Sequence, residues 1–336
     1  LKEYGYATHA IHDNTATFYS RNVVFSNLGY DTFSSIETMN IDDFTPMGWA
    51  KDYFLTDEIV AALDSTEGQD YIYTISVQGH GSYPTEGDYD YPITVSGLDD
   101  QAKTNQYQYY VWQINEMDKF IQKLVETLSK RDEDTILVMY GDHLPSLDIQ
   151  KDDLSNANLY QTQYVVWDNM NLKKKTKNLH AYQLYAEVLD RIQIHEGMIT
   201  KYHQQTKHRS KLYLTGLTTL SYDLLYGDNY AYDGENPFKQ TELQMGTEPV
   251  KLTSVQKTKS GYRVVGSGFT PYCKVYYDGT LVESEWISSE CLQLQDEFEL
   301  DEADKKDSGE PETEVTEPRD VPNAFVVEVQ SDDGVV

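Results

Sequence analysis

The sequence has few cysteines, few basic residues and no long apolar run. Its 336 residues include two cysteines, and 27 lysines and arginines stand against 56 aspartates and glutamates, which gives a formal net charge of -29. Such an acidic surface repels phosphate backbones, so we predict that the protein has no nucleic-acid partner. Because no run of about eighteen apolar residues and no signal-peptide pattern is present, we expect no membrane-spanning segment within these residues.

The first two-thirds of the sequence alternates short apolar segments with amphipathic ones. Strands are predicted at residues 6–11, 70–77, 135–140 and 164–167. Helices are predicted at residues 15–29, 101–129 and 181–194. Strands without apolar–polar alternation, separated by amphipathic helices, are typical of a mostly parallel sheet that helices cover on both faces. The sequence therefore predicts an α/β fold for residues 1–246.

A different pattern begins near Gly246. Short strand-like segments with turn signals follow at residues 262–269, 274–282 and 324–329. Asp278-Gly279 is a typical hairpin turn between two such segments. Residues 247–336 are therefore predicted to form a second domain, a small immunoglobulin-like β-sandwich. Residues 296–320 interrupt this domain with 12 acidic and three basic residues, and this composition predicts a disordered loop.

The two cysteines lie close together in this second domain. The hairpin between Cys273 and Cys291 brings neighbouring strands together, so we predict that the two residues approach within disulfide range. The alternative is a pair of unpaired thiols in a small β-core.

Two of the predicted strands end in turns that contain histidine. The first turn lies in "SVQGHGSYP" and the second in "MYGDHLPSL". Ligands of an open parallel sheet bind beyond the carboxyl ends of its strands. We therefore expect both turns to face one crevice.

Asp142 and His143 follow the second of these strands directly. A carboxylate and a neutral imidazole together suit a divalent ion such as Mn²⁺ or Zn²⁺, whereas a carboxylate alone suits Mg²⁺. Adjacent side chains of an extended strand point apart, so the two can share one ion only if the strand has already ended, and Gly141 permits that turn. The alternative is that Asp142 caps a turn and that His143 is an ordinary surface imidazole.

His80, Arg21 and Tyr19 are candidates for contacts to a phosphate. The glycines on both sides of His80 let the backbone approach a ligand closely, and its imidazole can donate to a phosphate or move a proton. Arg21 has a guanidinium group that can donate two parallel hydrogen bonds to a phosphate, and the aromatic ring of Tyr19 can pack against the ligand. The alternatives are a histidine in a tight turn and two residues on a helix surface.

Together these segments resemble the lipoteichoic acid synthase and phosphoglycerol transferase family, in the sulfatase-like branch of the alkaline phosphatase superfamily. The resemblance covers residues 1–246 and rests on four segments. They are "LKEYGYATHAIHDNTATFYSRNVVFSNLGYDTF", "TISVQGHGSYP", "MYGDHLPSL" and "YDLLYGDNYAYDGENPF" followed by "LQMG".

The resemblance implies a role for each candidate residue. Enzymes of this family bind one divalent ion, Mn²⁺ or Mg²⁺, for which Asp142 and His143 would supply two ligands. Their threonine nucleophile takes glycerol phosphate from phosphatidylglycerol and passes it to a glycolipid or glycan acceptor. Contacts to the substrate phosphate would fall on Arg21, Tyr19 and His80, although many members have tryptophan where Tyr19 stands.

In one respect the sequence departs from the family. The family's nucleophilic threonine and a glutamate metal ligand precede the segment with which this sequence begins. We therefore expect no catalytic nucleophile within these residues, and we expect the threonine, the glutamate and the membrane-spanning helices upstream. Residues 1–336 on their own are then expected to be inactive and to bind Mn²⁺ poorly.

Three functions remain open at this point. The first is a metal-dependent phosphoglycerol transferase at the outer face of the cell membrane, which builds lipoteichoic-acid-like or glycerol-phosphate-modified envelope polymers. The second is a sulfatase or phosphodiesterase of the same superfamily, because water and an acceptor hydroxyl can attack the same intermediate. The third is a noncatalytic surface module that binds wall polymers through its β-domain.

Overall fold

The computed structural model describes residues 1–87, 89–208, 210–258, 261–295, 325–331 and 334–335. They form two compact units. The first comprises Leu1–Thr127, His143–Gln161 and Gln240–Val336, and the second comprises Leu128–Asp142 and Thr162–Lys239. No helix in these described ranges combines the length and the apolar character that a membrane crossing needs.

Six α-helices and fourteen strands are assigned within the described residues. The helices are α1 (Arg21–Leu28), α2 (Leu55–Asp64), α3 (Gln101–Leu128), α4 (Ala181–Arg191), α5 (Met198–Gln205) and α6 (Tyr213–Leu225). The first seven strands are β1 (Tyr6–His12), β2 (Thr32–Ser35), β3 (Gln69–Ile75), β4 (Ile136–Tyr140), β5 (Tyr164–Asp168), β6 (Gln244–Met245) and β7 (Lys251–Thr258). The others are β8 (Gly261–Ser267), β9 (Cys273–Tyr277), β10 (Thr280–Val282), β11 (Ser284–Ser288), β12 (Cys291–Leu294), β13 (Phe325–Ser331) and β14 (Gly334–Val335).

A four-stranded sheet in the order β3-β1-β2-β6 is the centre of the first unit. All of its strand pairs are parallel. The last five residues of the interior strand β1, residues 8–12, are all buried because both faces of the strand are covered. Phe25 of α1 packs against Phe33 of β2 in the same core. The sheet confirms the predicted α/β fold.

The segment after β1 is helical over a shorter range than predicted. The sequence predicts a helix over residues 15–29, but α1 begins at Arg21. Tyr19 and Ser20 have φ angles of 57° and 54°, in the left-handed region that an α-helix cannot contain. Gly29, with φ of 86°, ends the helix as expected of a C-cap glycine. The left-handed pair therefore turns the chain between β1 and α1, beside the carboxyl end of the sheet.

Two antiparallel sheets form the predicted C-terminal β-sandwich. Their strand orders are β10-β9-β13-β14 and β11-β12-β8-β7. Both contribute to one apolar core, in which Val264, Val275 and Leu294 have no exposed surface. The predicted turn at Asp278-Gly279 joins β9 to β10, and both of its residues have positive φ. The predicted acidic loop at residues 296–320 lies outside the described residues, and the domain division at residue 246 stays a prediction.

The predicted disulfide is wrong. Both cysteines are free thiols; Cys273 lies on β9 and Cys291 lies on β12, in different sheets. The backbone N–H of Thr270 donates to Cys273 Sγ over 3.3 Å. Proximity in sequence therefore did not indicate a covalent bond here.

The two thiols are expected to differ in reactivity. Burial raises the pKa of Cys273, which is 5% exposed, whereas Cys291 is only partly buried. Because the thiolate is the reactive form, Cys273 should be alkylated roughly tenfold or more slowly than Cys291 in the native protein. Timed iodoacetamide labelling without reductant, followed by mass spectrometry, measures both rates. Equal labelling would contradict the buried position of Cys273, and labelling in urea supplies the control for complete access.

The second unit contains a two-stranded sheet and three helices. Strands β4 and β5 pair antiparallel, with Ile136 opposite Asp168 and Tyr140 opposite Tyr164. The interpretation that β4 lies in the same parallel sheet as β3 is therefore wrong. Apolar periodicity identifies a strand but not its partner, so both strands were predicted correctly while the pairing was not. Helices α4, α5 and α6 follow β5 in this unit.

Candidate active site

A cavity of about 260 Å³ lies at the carboxyl end of the parallel sheet in the first unit. The loop after β1 supplies Asp13, Asn14 and Thr15, and the turn after β2 supplies Glu37. The other lining residues are Ile36, Phe44, Gly48, Trp49, Ala50, Tyr272 and Ser331. This is the edge at which open parallel sheets bind their ligands.

Arg21 adjoins this cavity through the loop after β1. Its Nη1 donates to the carbonyl oxygen of Thr15 over 2.7 Å, and its guanidinium lies 5.0 Å from the centre of the Phe18 ring. Burial lowers the pKa of Arg21 and the carboxylate of Glu37 raises it, but an arginine stays protonated in any such setting. These contacts fix the direction of a permanent positive charge beside the cavity.

Glu37 ties the two loops of the sheet edge together. Its side chain has no exposed surface, and its two carboxylate oxygens accept from the backbone N–H of Ala16 over 3.1 and 3.2 Å. A buried carboxylate is stable only where donors or positive charges face it. The N–H of Ala16 and the nearby charge of Arg21 meet that need, so the turn after β2 holds the loop that carries Thr15.

Asp13 and Asp52 form a buried carboxyl pair. Asp52 Oδ1 accepts from the backbone N–H groups of Val77 and Gln78 over 3.1 and 3.0 Å. Asp52 Oδ2 and both oxygens of Asp13 have no hydrogen-bond partner among the described residues, although His12 Nδ1 lies 3.4 Å from Asp13 Oδ1. Burial raises the pKa of Asp13 to about 7, and burial together with the charge of Asp13 raises the pKa of Asp52 well above its usual value. A proton shared between the two carboxyls would satisfy one oxygen of each.

His12, the last residue of β1, is held as a neutral imidazole. Burial and, to a smaller extent, the charge of Arg21 together lower its pKa to about 4. Its Nδ1 lies 2.9 Å from the carbonyl oxygen of Ile75, which can only accept, so Nδ1 carries the proton. His12 therefore adds no positive charge to the site at neutral pH.

A polar network behind the cavity positions Asp52. The backbone N–H of Asp52 donates to Gln78 Oε1 over 2.8 Å, and Gln78 Nε2 donates to Glu116 of α3 over 2.6 Å. Lys51 forms an ion pair with the same Glu116 carboxylate. Because these groups are largely buried and bonded to one another, the Asp52 backbone has little freedom to move.

Two of the three residues predicted to contact a phosphate lie beside the cavity. His80 is exposed and packs edge-on against Trp49, a lining residue, with ring centres 4.9 Å apart. Tyr19 is 83% exposed and packs against Phe18 with ring centres 4.4 Å apart. Arg21 and His80 thus each contact a lining residue of the same cavity, whereas Tyr19 points to solvent. Their roles in binding stay predictions.

The two predicted metal ligands are adjacent in sequence but belong to different units. Asp142 is the last residue of a segment of the second unit, and His143 is the first residue of a segment of the first unit. His143 Nδ1 lies 2.8 Å from the carbonyl oxygen of Leu144. Nowhere in the described ranges do three or more histidine, cysteine or acidic side chains come close enough to hold a metal ion. The described residues therefore do not complete a metal site, and the shared ion stays a prediction.

Sequence reasoning missed most of the residues that build the cavity. Asp13 and Glu37 follow strands β1 and β2 directly, so the same rule that pointed to His80 could have found them. Trp49 lies in an irregular segment and Asp52 begins a short 3-10 helix, and neither position has a periodic signal in the sequence. Tyr272 comes from the β-sandwich, and nothing in its local sequence indicates a contact with the sheet edge.

The sulfatase family model matches residues 1–194. The chain belongs to the sulfatase family. This result confirms the sulfatase-like family that the sequence predicts, and the first unit has the predicted α/β architecture.

Two curated proteins and one solved structure are similar to the chain. A Rhizobium meliloti (strain 1021) protein named for cyclic beta-1,2-glucan modification is 29% identical over 51% of this chain and 29% of its own length. Lipoteichoic acid synthase 2 of Bacillus subtilis (strain 168) is 27% identical over 56% of this chain and 28% of its own length. The Streptococcus pyogenes phosphoglycerol transferase GacH, solved with sn-glycerol-1-phosphate, has a TM-score of 0.53 at 19% identity, over 70% of this chain and 66% of that one. The chain thus spans less than a third of the curated relatives' length.

Proposed function

We propose that this protein is a phosphoglycerol transferase that acts at the extracellular face of the cell membrane. In this proposal it takes glycerol phosphate from phosphatidylglycerol and adds it to a glycolipid or glycan of the envelope, as in lipoteichoic-acid-like polymers. One observation supports it most. A fixed arginine and an exposed imidazole, Arg21 and His80, each contact a lining residue of one cavity at the carboxyl end of the sheet. The similarity to lipoteichoic acid synthase 2 of Bacillus subtilis is the second support.

Arg21 would bind the phosphate of the donor. The Thr15 carbonyl occupies Nη1, so the guanidinium plane is already oriented before a substrate arrives. Its other N–H groups can then pair with two nonbridging phosphate oxygens, which an ammonium group cannot do with the same geometry. The proposed role of Arg21 is therefore to hold the phosphate in one orientation.

His80 would accept and then donate a proton beside the cavity. Its Nδ1 is hydrogen-bonded to the carbonyl oxygen of Gly81, which can only accept. Nδ1 therefore carries the proton, and Nε2 is the acceptor in the neutral ring. A hydroxyl placed near Nε2 could pass its proton there, and the protonated ring could then donate to a phosphate oxygen.

Mn²⁺, or Mg²⁺, is the proposed cofactor, with Asp142 and His143 as two of its ligands. Bound there, the ion would lower the pKa of a nucleophile and screen the charge of the phosphate. Two side chains leave most of a coordination shell to water. We therefore expect residues 1–336 alone to bind Mn²⁺ weakly, with a Kd roughly in the millimolar range, and to release no diacylglycerol from phosphatidylglycerol.

Titration of residues 1–336 with Mn²⁺, followed by electron paramagnetic resonance, tests the ligand assignment. Asp142→Asn and His143→Gln should each abolish the weak binding, because each removes a ligand atom. Asp168→Asn, in the same unit as Asp142, is the control and should leave binding unchanged. Binding that survives both ligand substitutions would exclude this pair as the metal site.

The alternative functions predict different products. A sulfatase would cleave an aryl sulfate such as 4-nitrocatechol sulfate, and a phosphodiesterase would release free glycerol phosphate from phosphatidylglycerol. A noncatalytic module would bind envelope glycans without consuming either substrate. A transferase releases diacylglycerol and attaches glycerol phosphate to the acceptor.

An assay of the full-length protein with labelled phosphatidylglycerol vesicles, Mn²⁺ and an acceptor distinguishes these cases. The expected result is metal-dependent release of diacylglycerol, with the label recovered on the acceptor. Label recovered only as free glycerol phosphate would favour the hydrolase. Absence of turnover with every donor would favour the noncatalytic module.

A further inference from the structure

The β-sandwich contributes two residues to the cavity at the sheet edge. Tyr272 precedes β9 and Ser331 is the last residue of β13, and both line the cavity together with Asp13, Asn14 and Thr15. Residues of both predicted domains therefore line the cavity.

A short turn over residues 270–273 holds Tyr272 in place. The Thr270 hydroxyl donates to the carbonyl oxygen of Glu37 over 2.6 Å and accepts from the backbone N–H of Tyr272 over 3.3 Å. The carbonyl oxygen of Tyr272 accepts from the N–H of Gln330 over 3.2 Å. Because Glu37 also bonds the N–H of Ala16, the turn is tied to the loop after β1. Such anchoring reduces the ordering cost of binding a ligand.

The cavity suits a neutral hydroxyl compound better than an anion. Phe44, Trp49 and Tyr272 supply aromatic surface, and Asp13 and Asn14 supply polar groups. A few polar groups within aromatic walls are typical of sites for small ligands, and the volume of about 260 Å³ is at the small end for such sites, enough for one small unit. The Glu37 carboxylate disfavours a phosphate in the cavity, whereas hydroxyl groups can donate to carboxylates.

We propose that Tyr272 is a specificity-determining residue for the acceptor of the transfer. Its ring packs against a neutral polyol or sugar unit, while Arg21 and His80 hold the donor phosphate at the rim. In the first step the hydroxyl nucleophile of the full-length protein forms a bond to phosphorus as the bond from phosphorus to the diacylglycerol oxygen breaks, and its proton passes to that departing oxygen. In the second step the acceptor oxygen forms a bond to phosphorus as the bond to the nucleophile breaks, and the acceptor's hydroxyl proton returns to the nucleophile. This inference rests on the proposed function.

Kinetics of the full-length protein test the inference. Tyr272→Ala should raise the KM for glycerol and for methyl β-glucoside as acceptors by about tenfold, the scale of a lost aromatic contact. Diacylglycerol release without acceptor should stay within about twofold, because the donor side is unchanged. Tyr272→Phe keeps the ring and should restore the acceptor KM.

Tyr276→Ala is the matched control. Tyr276 is also a half-buried tyrosine of the same domain, where its hydroxyl accepts from Gln330 Nε2 over 2.6 Å, but it does not line the cavity. The KM for the acceptor and the rate of diacylglycerol release without acceptor should both be unchanged in this variant. An unchanged acceptor KM in Tyr272→Ala, with donor turnover intact, would overturn the inference while leaving the proposed function standing.

A binding measurement separates failure of the inference from failure of the proposed function. If the wild-type protein releases no diacylglycerol, the proposed function fails. Saturation-transfer NMR with glycerol and methyl β-glucoside then still decides whether the cavity binds a polyol. Signals in the wild-type protein that Tyr272→Ala weakens and Tyr276→Ala leaves unchanged support the site. Equal signals in both variants, or no signal in the wild-type protein, overturn it.

Discussion

Replacing Arg21 with lysine should lower kcat/KM for phosphatidylglycerol by roughly 10- to 100-fold, the scale of one lost hydrogen bond to a charged group. Lysine keeps the charge, but its ammonium cannot bond the Thr15 carbonyl and two phosphate oxygens with the geometry of a guanidinium. The assay is metal-dependent release of diacylglycerol by the full-length protein. A change in kcat/KM without a change in thermal midpoint would place the effect in binding and not in folding.

Arg263→Lys is the control for this experiment. Arg263 is an exposed arginine of the β-sandwich whose Nε donates to Gln293 Oε1 over 3.0 Å. It lies on β8 and does not line the cavity, so its replacement should leave turnover unchanged. Full activity in Arg21→Lys would remove Arg21 from the phosphate site, and with it the main support for the proposed function.

Several strands and helices of this fold, such as α3 and β4, could be predicted from the sequence because their apolar patterns are local, whereas α2, α5, α6 and β2 were not predicted. The 28 residues of α3 follow from the spacing of its apolar residues. The pairing of β4 with β5 could not, because both strands have the composition of a buried strand and pairing depends on distant segments. The left-handed residues Tyr19 and Ser20, which delay the start of the predicted helix to Arg21, also lack a turn signature.

The candidate site was predictable only in part for the same reason. His80 was found because a glycine-flanked histidine follows a strand, which is a local pattern. The carboxyl pair of Asp13 and Asp52 depends on two segments that meet only in the folded chain. Tyr272 reaches the cavity through a contact between Thr270 and Glu37, more than 200 residues earlier in the chain. Single-sequence patterns carry no information about such contacts.

The carboxyl pair predicts an unusual dependence of stability on pH. Burial raises the pKa of Asp13 to about 7 in the folded state, from an ordinary value of 3.8. The folded protein therefore holds a proton that the unfolded chain releases, so stability falls as pH rises from about 4 to about 7. Asp13→Asn removes this loss, and its amide can donate to Asp52 Oδ2, which no described donor reaches. The variant should be more stable than the wild type at pH 8 by about 2 to 4 kcal/mol, since one pKa unit corresponds to about 1.4 kcal/mol.

Urea-induced unfolding at pH 5 and pH 8, followed by tryptophan fluorescence, measures this difference. At pH 5 the two proteins should be much closer in stability, because the folded wild type is then protonated at Asp13. Glu58→Gln is the control: burial and the charge of Asp57 raise the pKa of Glu58 to about 7 on α2, outside the cavity lining. Its effect should add to that of Asp13→Asn, because the two carboxyls have no partner in common. The free energy of unfolding of Asp13→Asn could instead keep the wild-type dependence on pH between pH 5 and pH 8, or fall below the wild-type value at pH 8. Either result would contradict the hypothesis of a shared proton. Asp13 would then be an ionised carboxylate that faces the acceptor cavity.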